Sequence, residues 1–152
     1  MAKESVLGTK TVVQVGVIVK NIEETAAAWA EFLGIDMPAI NPTAGYDESQ
    51  STYKGNRSDA TSKLAFIDVN EGLQLELIEP DGLPSTWQDH LDKHGEGVHH
   101  LAFTIQDTKG KVIKMQELGF PLLQTGEWGT GRYAYFDTVE KLKLIVETLE
   151  HD

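Results

Sequence analysis

Apolar residues recur along this chain with two alternating periods, and the same succession of periods occurs twice. QVGVIVKNIEETAAAWAEFLGI, from Gln14, opens with a polar residue and a mostly apolar run that predicts a strand; HLAFTIQDTKGKVIKMQELGF, from His100, repeats this grammar. Seven residues after each opening residue stands a helix N-cap residue, Asn21 or Asp107, and Glu24 completes a capping box behind Asn21. Ile22, Ala26, Trp29 and Leu33 in the first helix, and Val112, Met115 and Leu118 in the second, are spaced for one buried face. Each helix then ends in Leu-Gly, with Gly34 and Gly119 as expected C-terminal caps.

The later parts match as well. LQLELIEP (73–80) and LIVETLEH (144–151) both read as strands with glutamate at the fourth and seventh positions, which pairs Glu76 with Glu147. Two further strands are expected before each: 46–54 and 62–69, then 122–126 and 132–137. Each unit therefore reads β-α-β-β-β, and several features repeated in one order point to duplication. The expected organisation is a single α+β domain of two modules, 11–80 and 98–150. They are joined by a linker, 81–97, that holds Pro84, a short helix over 85–93 and the Gly95/Gly97 pair.

Alternation along the strands sorts side chains by face. Val13, Val15, Val17 and Val19 share one face of the first strand, and Gln14, Gly16 and Ile18 the other. In the matching strand His99, Leu101 and Phe103 lie opposite His100, Ala102 and Thr104, so only His100 of the histidine pair is expected on the open side. In the closing strands Gln74 and Glu76 lie opposite three leucines, and Glu147 lies opposite Leu144 and Val146. Gln14, Glu76, His100 and Glu147 thus occupy equivalent positions in two copies, and a pseudo-twofold axis would bring them to one point. Two buried glutamates without a cation force one to take up a proton. An amide oxygen, an imidazole and two carboxylates instead suit a divalent ion: Zn²⁺, or Ni²⁺, Co²⁺ or Mn²⁺.

Composition narrows the partners. The 152 residues carry a formal net charge of −11, which argues against nucleic acid or an anionic membrane surface. With no cysteine, disulfides and thiolate chemistry are excluded. The amino terminus has no apolar signal core and no window approaches the roughly 18 apolar residues of a membrane span, so a cytoplasmic protein acting on a small molecule is expected. In TGEWGTGRYAYFDT, Trp128 among glycines reads as a flap, with Arg132 and Tyr133 as candidates to meet the substrate; the polar segment 44–57 reads as a lid.

The duplicated unit, with candidate ligands on the first and last strand of each copy, resembles the vicinal oxygen chelate superfamily. Its members include glyoxalase I, methylmalonyl-CoA epimerase, extradiol dioxygenases and antibiotic-binding resistance proteins. The resemblance covers about residues 12–149 and implies an eight-stranded, cup-shaped sheet. LELIEP…GEGVHHLAF is most similar to the epimerases, in which the second histidine of the pair is the ligand. The set Gln14, Glu76, His100, Glu147 matches some glyoxalase I enzymes. Where one type of glutathione-dependent glyoxalase carries Arg, Asn and Arg, this chain has Ile18, Pro80 and Glu96, and YFDTVEKLK replaces the HPK-like motif of the epimerases. The resemblance implies a metal-dependent isomerase or lyase of the glyoxalase–epimerase type. Such an enzyme removes a proton next to a carbonyl through an enolate, with Glu147 as base and Glu76, opposite it, as the alternative. It also extends to this chain the homodimers common in the family. The alternative is a metal-free small-molecule-binding protein of the antibiotic-resistance type, which normally lacks the four ligands.

Overall fold

The structure, a computed structural model, describes residues 4–152. The first half runs β1 (Gln14–Ile18), α1 (Ile22–Leu33), β2 (Ile40–Pro42), α2 (Tyr46–Ser49), β3 (Thr52–Tyr53), β4 (Asn56–Arg57), β5 (Ser62–Asn70) and β6 (Leu73–Pro80). After α3 (Thr86–His94) come β7 (Gly97–Thr104), α4 (Thr108–Glu117), β8 (Leu122–Trp128), β9 (Gly131–Phe136), α5 (Val139–Leu142) and β10 (Ile145–His151). The strands form one curled, mixed sheet in the order β2-β5-β6-β1-β7-β10-β9-β8-β3-β4.

Both long helices begin at the residues expected to cap them. The Asn21 side chain accepts from the Glu24 N–H and Asp107 from the Gly110 N–H, each at 3.1 Å. A second carboxylate reinforces each start. Ile22 N–H donates to Glu79 Oε1 at 3.1 Å, and the N–H groups of Asp107 and Thr108 donate to Glu150 at 3.1 and 2.9 Å. Glu79 and Glu150 are the seventh residues of the two matched strands, so this repeat position places negative charge at a helix N-terminus. Ile22, Ala26 and Met115 are buried, whereas Leu33 and Leu118, expected on the same faces, sit in last turns that leave the sheet and are exposed.

The sheet is a four-plus-four arrangement with two strands added. β1 and β7 run antiparallel at the centre, with Gln14 opposite Ala102 and Gly16 opposite His100. β6 lies parallel to β1 with Glu76 beside Gly16, and β10 lies parallel to β7 with Glu147 beside Ala102. The register of one half is the register of the other, so Gln14 and His100 hold equivalent places, as do Glu76 and Glu147.

Ten strands replace the expected eight. The second strand of the first half is Ile40–Pro42, paired with β5, and not 46–54. Residues 46–49 form one helical turn that ends at Gln50 in the left-handed region, with the Gln50 side chain donating to the Tyr46 and Asp47 carbonyls. The chain then makes a β3–β4 hairpin through Lys54 and Gly55, both at positive φ, as a tight hairpin turn requires. β3 pairs across the molecule with β8, Thr52 beside Thr125. A local alternation rule had no access to that pairing, because its partner is about seventy residues away.

Apolar packing occurs on both faces. Under α1, Val19, Ile22, Ala26, Leu75 and Leu77 form one cluster; under α4, Met115, Ala134, Phe136 and Val146 form another. On the concave side Ile18, Ala60, Ile78, Trp87, Tyr135 and Ile145 pack together, with α3 supplying Trp87. No helix among the described residues is long and apolar enough to cross a membrane.

Candidate metal centre and its cavity

The four strands at the middle of the sheet, β6, β1, β7 and β10, each contribute one of the four expected side chains. His100 Nε2 lies 2.9 Å from Gln14 Oε1, 3.1 Å from Glu147 Oε1 and 3.5 Å from Glu76 Oε1. The donor atoms of Glu76, His100 and Glu147 all fall within 4.8 Å of one another, and all three residues are buried, as is Gln14. Gly16 makes this possible. A Cβ there would stand 2.0 Å from His100 Cε1, so only glycine leaves the imidazole its path to the centre.

Charges here are held against solvent. Burial raises the Glu76 carboxyl to about 8, with the Glu147 charge adding to the rise and His100 opposing it. Burial by itself would lower His100, but the carboxylates of Glu147 and Glu76 reverse that, and its pKa is raised. The Gln14 amide senses the same imbalance. Its Nε2 donates to Gln74 Oε1 at 2.8 Å, which leaves its oxygen facing the imidazole nitrogen and two carboxylate oxygens. Two carboxylates, an imidazole and an amide that converge in a buried place are costly unless protons or a metal cation lie among them. If the amide is turned, its NH₂ satisfies the carboxylates, but Gln74 must then turn with it. The donor set therefore fits a divalent ion: two carboxylates offset its charge, and imidazole with three oxygens suits a borderline metal.

In front of these side chains opens a cavity of about 480 Å³ that Gln14, Glu76 and Glu147 line together with Phe66, Trp87 and Tyr135. Trp128 and Tyr133 line it too. Arg132, expected beside them, does not: alternation along β9 turns it outward, where it pairs with Glu150 at 3.3 Å and with Asp152. Of the expected lid, Ala44, Ser49 and Ser51 reach the cavity wall. Tyr133, raised to about 12 mainly by burial, is a neutral phenol that accepts from Gln124 Nε2 at 3.0 Å.

Residues 13–136 match the model of the Glyoxalase/Bleomycin resistance protein/Dioxygenase superfamily. The chain belongs to this superfamily. Among solved structures it is similar to methylmalonyl-CoA epimerase from Mycobacterium tuberculosis, at 18% identity and TM-score 0.64, over 100% of this chain and 93% of that one. A hypothetical protein from Bacillus halodurans C-125 matches at 16% identity and TM-score 0.64, over 93% of this chain and 94% of its own. Streptomyces coelicolor methylmalonyl-CoA epimerase in complex with 2-nitronate-propionyl-CoA matches at 17% identity and TM-score 0.61, over 92% and 96%. At these identities the likeness is one of fold. No curated protein matches significantly.

Within this superfamily member, two supporting residues escaped the sequence reading. Gln74 shares the open face with Glu76, and the alternation showed as much, but its contact with Gln14 depends on the pairing of β6 with β1, sixty residues apart, which sets the two side by side. His99 is the larger surprise. The β1–β7 register slips between Gly16 and Val17, which face His100 and Val98, so His99 is the extra residue of a bulge. A bulge suspends alternation, and His99, expected on the far side, instead brings its Nδ1 to 2.8 Å from His100 Nδ1. For His100 Nε2 to present a lone pair, its proton must sit on Nδ1 and be donated to His99. Burial, followed by the neighbouring His100 and His90, holds His99 well below the usual imidazole range, so it is the neutral acceptor this bond needs.

Proposed function

We propose that this protein is a divalent-metal-dependent isomerase of the epimerase–glyoxalase type, acting on the carbon next to a carbonyl. The observation that carries the reading is the buried meeting of Gln14, Glu76, His100 and Glu147, in which the donor atoms of the imidazole and the two carboxylates lie within 4.8 Å of one another. A divalent ion bound there would act as a Lewis acid, offsetting the negative charge that develops on the substrate oxygens. The protein's own groups do the rest. Glu147 takes the α-proton onto a carboxylate oxygen as the C–H electron pair moves toward the carbonyl oxygen. Glu147 then gives that proton back to carbon, or Glu76, after exchanging a proton with solvent, delivers one from its own side. The two glutamates stand on β6 and β10, the outer pair of the four central strands. Delivery from the side opposite to removal inverts the centre, and delivery to the neighbouring carbon isomerises it. The solved epimerases of similar fold, one of them bound to an acyl-CoA analogue, support this class of chemistry.

The test is solvent exchange. Metal-loaded protein in D₂O, followed by NMR over a panel of 2-oxo, acyl-CoA and hemithioacetal compounds, should incorporate deuterium at the α-carbon of at least one. Glu147→Gln should slow that exchange about 10²–10⁴-fold while the metal stays bound. Exchange unaffected by Glu147→Gln and by Glu76→Gln would sink the mechanism. Protein that cannot be loaded with Zn²⁺, Ni²⁺, Co²⁺ or Mn²⁺ would favour a metal-free binding protein.

A further inference from the structure

Alternation sorts charge across this sheet with a consequence for the substrate. On β5, Lys63 faces outward, where it pairs with Glu79 at 3.4 Å and Glu23 at 3.5 Å, while its neighbour Leu64 lines the cavity. On β9, Arg132 faces outward to Glu150, while Tyr133 lines the cavity. These two ion pairs are equivalent in the duplicated register, Lys63 opposite Glu79 and Arg132 opposite Glu150. Both halves thus keep their cations on the helix side of the sheet. Among the described residues, the cavity wall includes no lysine or arginine, and His151 is its one basic side chain.

What replaces charge is ring surface. Trp87 meets Tyr135 edge-on at 6.4 Å, Tyr135 lies 5.1 Å from Tyr133, and Phe66 and Trp128 complete the apolar wall. The Tyr133 ring is tight against β8, where a Cβ on Gly126 would come within 2.3 Å of it. A carboxylate or phosphate held beside these rings would lose its hydration and find no counter-ion, with Glu76 and Glu147 already matching the charge of a divalent ion. A flat or branched uncharged group would bury apolar area on both sides.

We infer that the substrate is a carbonyl compound that offers a chelating pair of oxygens to the metal centre and fills the cavity with an uncharged aromatic or branched aliphatic group. Any anionic part of the molecule stays outside. This rests on the metal-dependent reading above, and the experiment separates the two. Co²⁺ uptake is read first, from the visible absorption of the ion with no ligand added. Acetohydroxamic, benzohydroxamic and 4-carboxybenzohydroxamic acids, which share one chelating head, are then titrated at pH 8. Benzohydroxamate should bind about tenfold or more tighter than acetohydroxamate, because the ring is buried. The 4-carboxy derivative should bind about tenfold weaker than benzohydroxamate, and Phe66→Lys, at a half-exposed wall position, should erase most of that penalty. Co²⁺ uptake with equal binding of all three acids, or with the carboxylate derivative bound tightest, overturns the inference and leaves the metal centre standing. A folded protein that takes up no Co²⁺ overturns both.

Discussion

Gln14 and His100 hold the same position in the two halves of the chain, and their side chains meet at 2.9 Å in the middle of the sheet. Equivalent strands of the two halves carry an amide in one and an imidazole in the other. The twofold relation of β1 and β7 turns that sequence equivalence into contact.

That contact depends on Gly16. Its missing Cβ would stand 2.0 Å from the His100 ring, on a central strand whose backbone cannot retreat. Gly16→Ala should therefore push His100 off its position and weaken metal binding by about tenfold or more, while far-ultraviolet circular dichroism stays close to that of the parent. Unchanged affinity by calorimetry would mean that His100 does not need this path.

His99 should matter through His100. Replacing it with Ala removes the acceptor for the His100 Nδ1 proton and frees the ring to rotate or change tautomer. Metal affinity is expected to fall about 10–100-fold. A Co²⁺ absorption spectrum would register the altered ligand field even if the protein stays folded. His99→Gln, whose side-chain oxygen can take the same proton, should recover part of the loss.

Stability should respond to pH in opposite senses with and without metal. Glu76 rises from an ordinary value of 4.5 to about 8 in the folded, metal-free protein, and His100 is raised too. A group whose folded pKa is raised stabilises fully below its unfolded pKa and loses that contribution as pH climbs through the folded value. Metal-free protein should thus lose stability between about pH 4.5 and 8. Ion binding requires the proton to leave, so affinity should increase with pH across the same window, up to about tenfold per unit. The gap in Tm between loaded and metal-free protein, measured by calorimetry, should widen from pH 5 to pH 8.

Glu150 has the reverse sign. Hydrogen bonds from the Thr108 hydroxyl and backbone, joined by Asp107 and Arg132, hold its carboxyl down to about 2. Its contribution is present above the ordinary carboxylate value and disappears as pH falls toward 2. Glu150→Gln should lower Tm at pH 7, and the difference should shrink below pH 4.5. A Tm difference that persists undiminished near pH 2 would show that the charge at the α4 N-terminus is not the cause.

Much of this protein was legible from one chain of letters. The period of two along β1, β6, β7 and β10 assigned Gln14, Glu76, His100 and Glu147 to one face, because successive side chains on a strand must alternate. The repeated order of strand, cap and helix pointed to two like halves, because capping and amphipathic spacing are local. What needed the tertiary structure was whatever depends on long-range pairing. The hairpin at 52–57 joined the opposite edge of the sheet, and a bulge brought His99 back against His100. Arg132 turned outward to Glu150, although its neighbours Tyr133 and Trp128 line the cavity. Local periodicity specifies which face a residue occupies relative to its neighbours; which face becomes the inside, and where the ladder slips, is decided by strands that meet only when the chain folds.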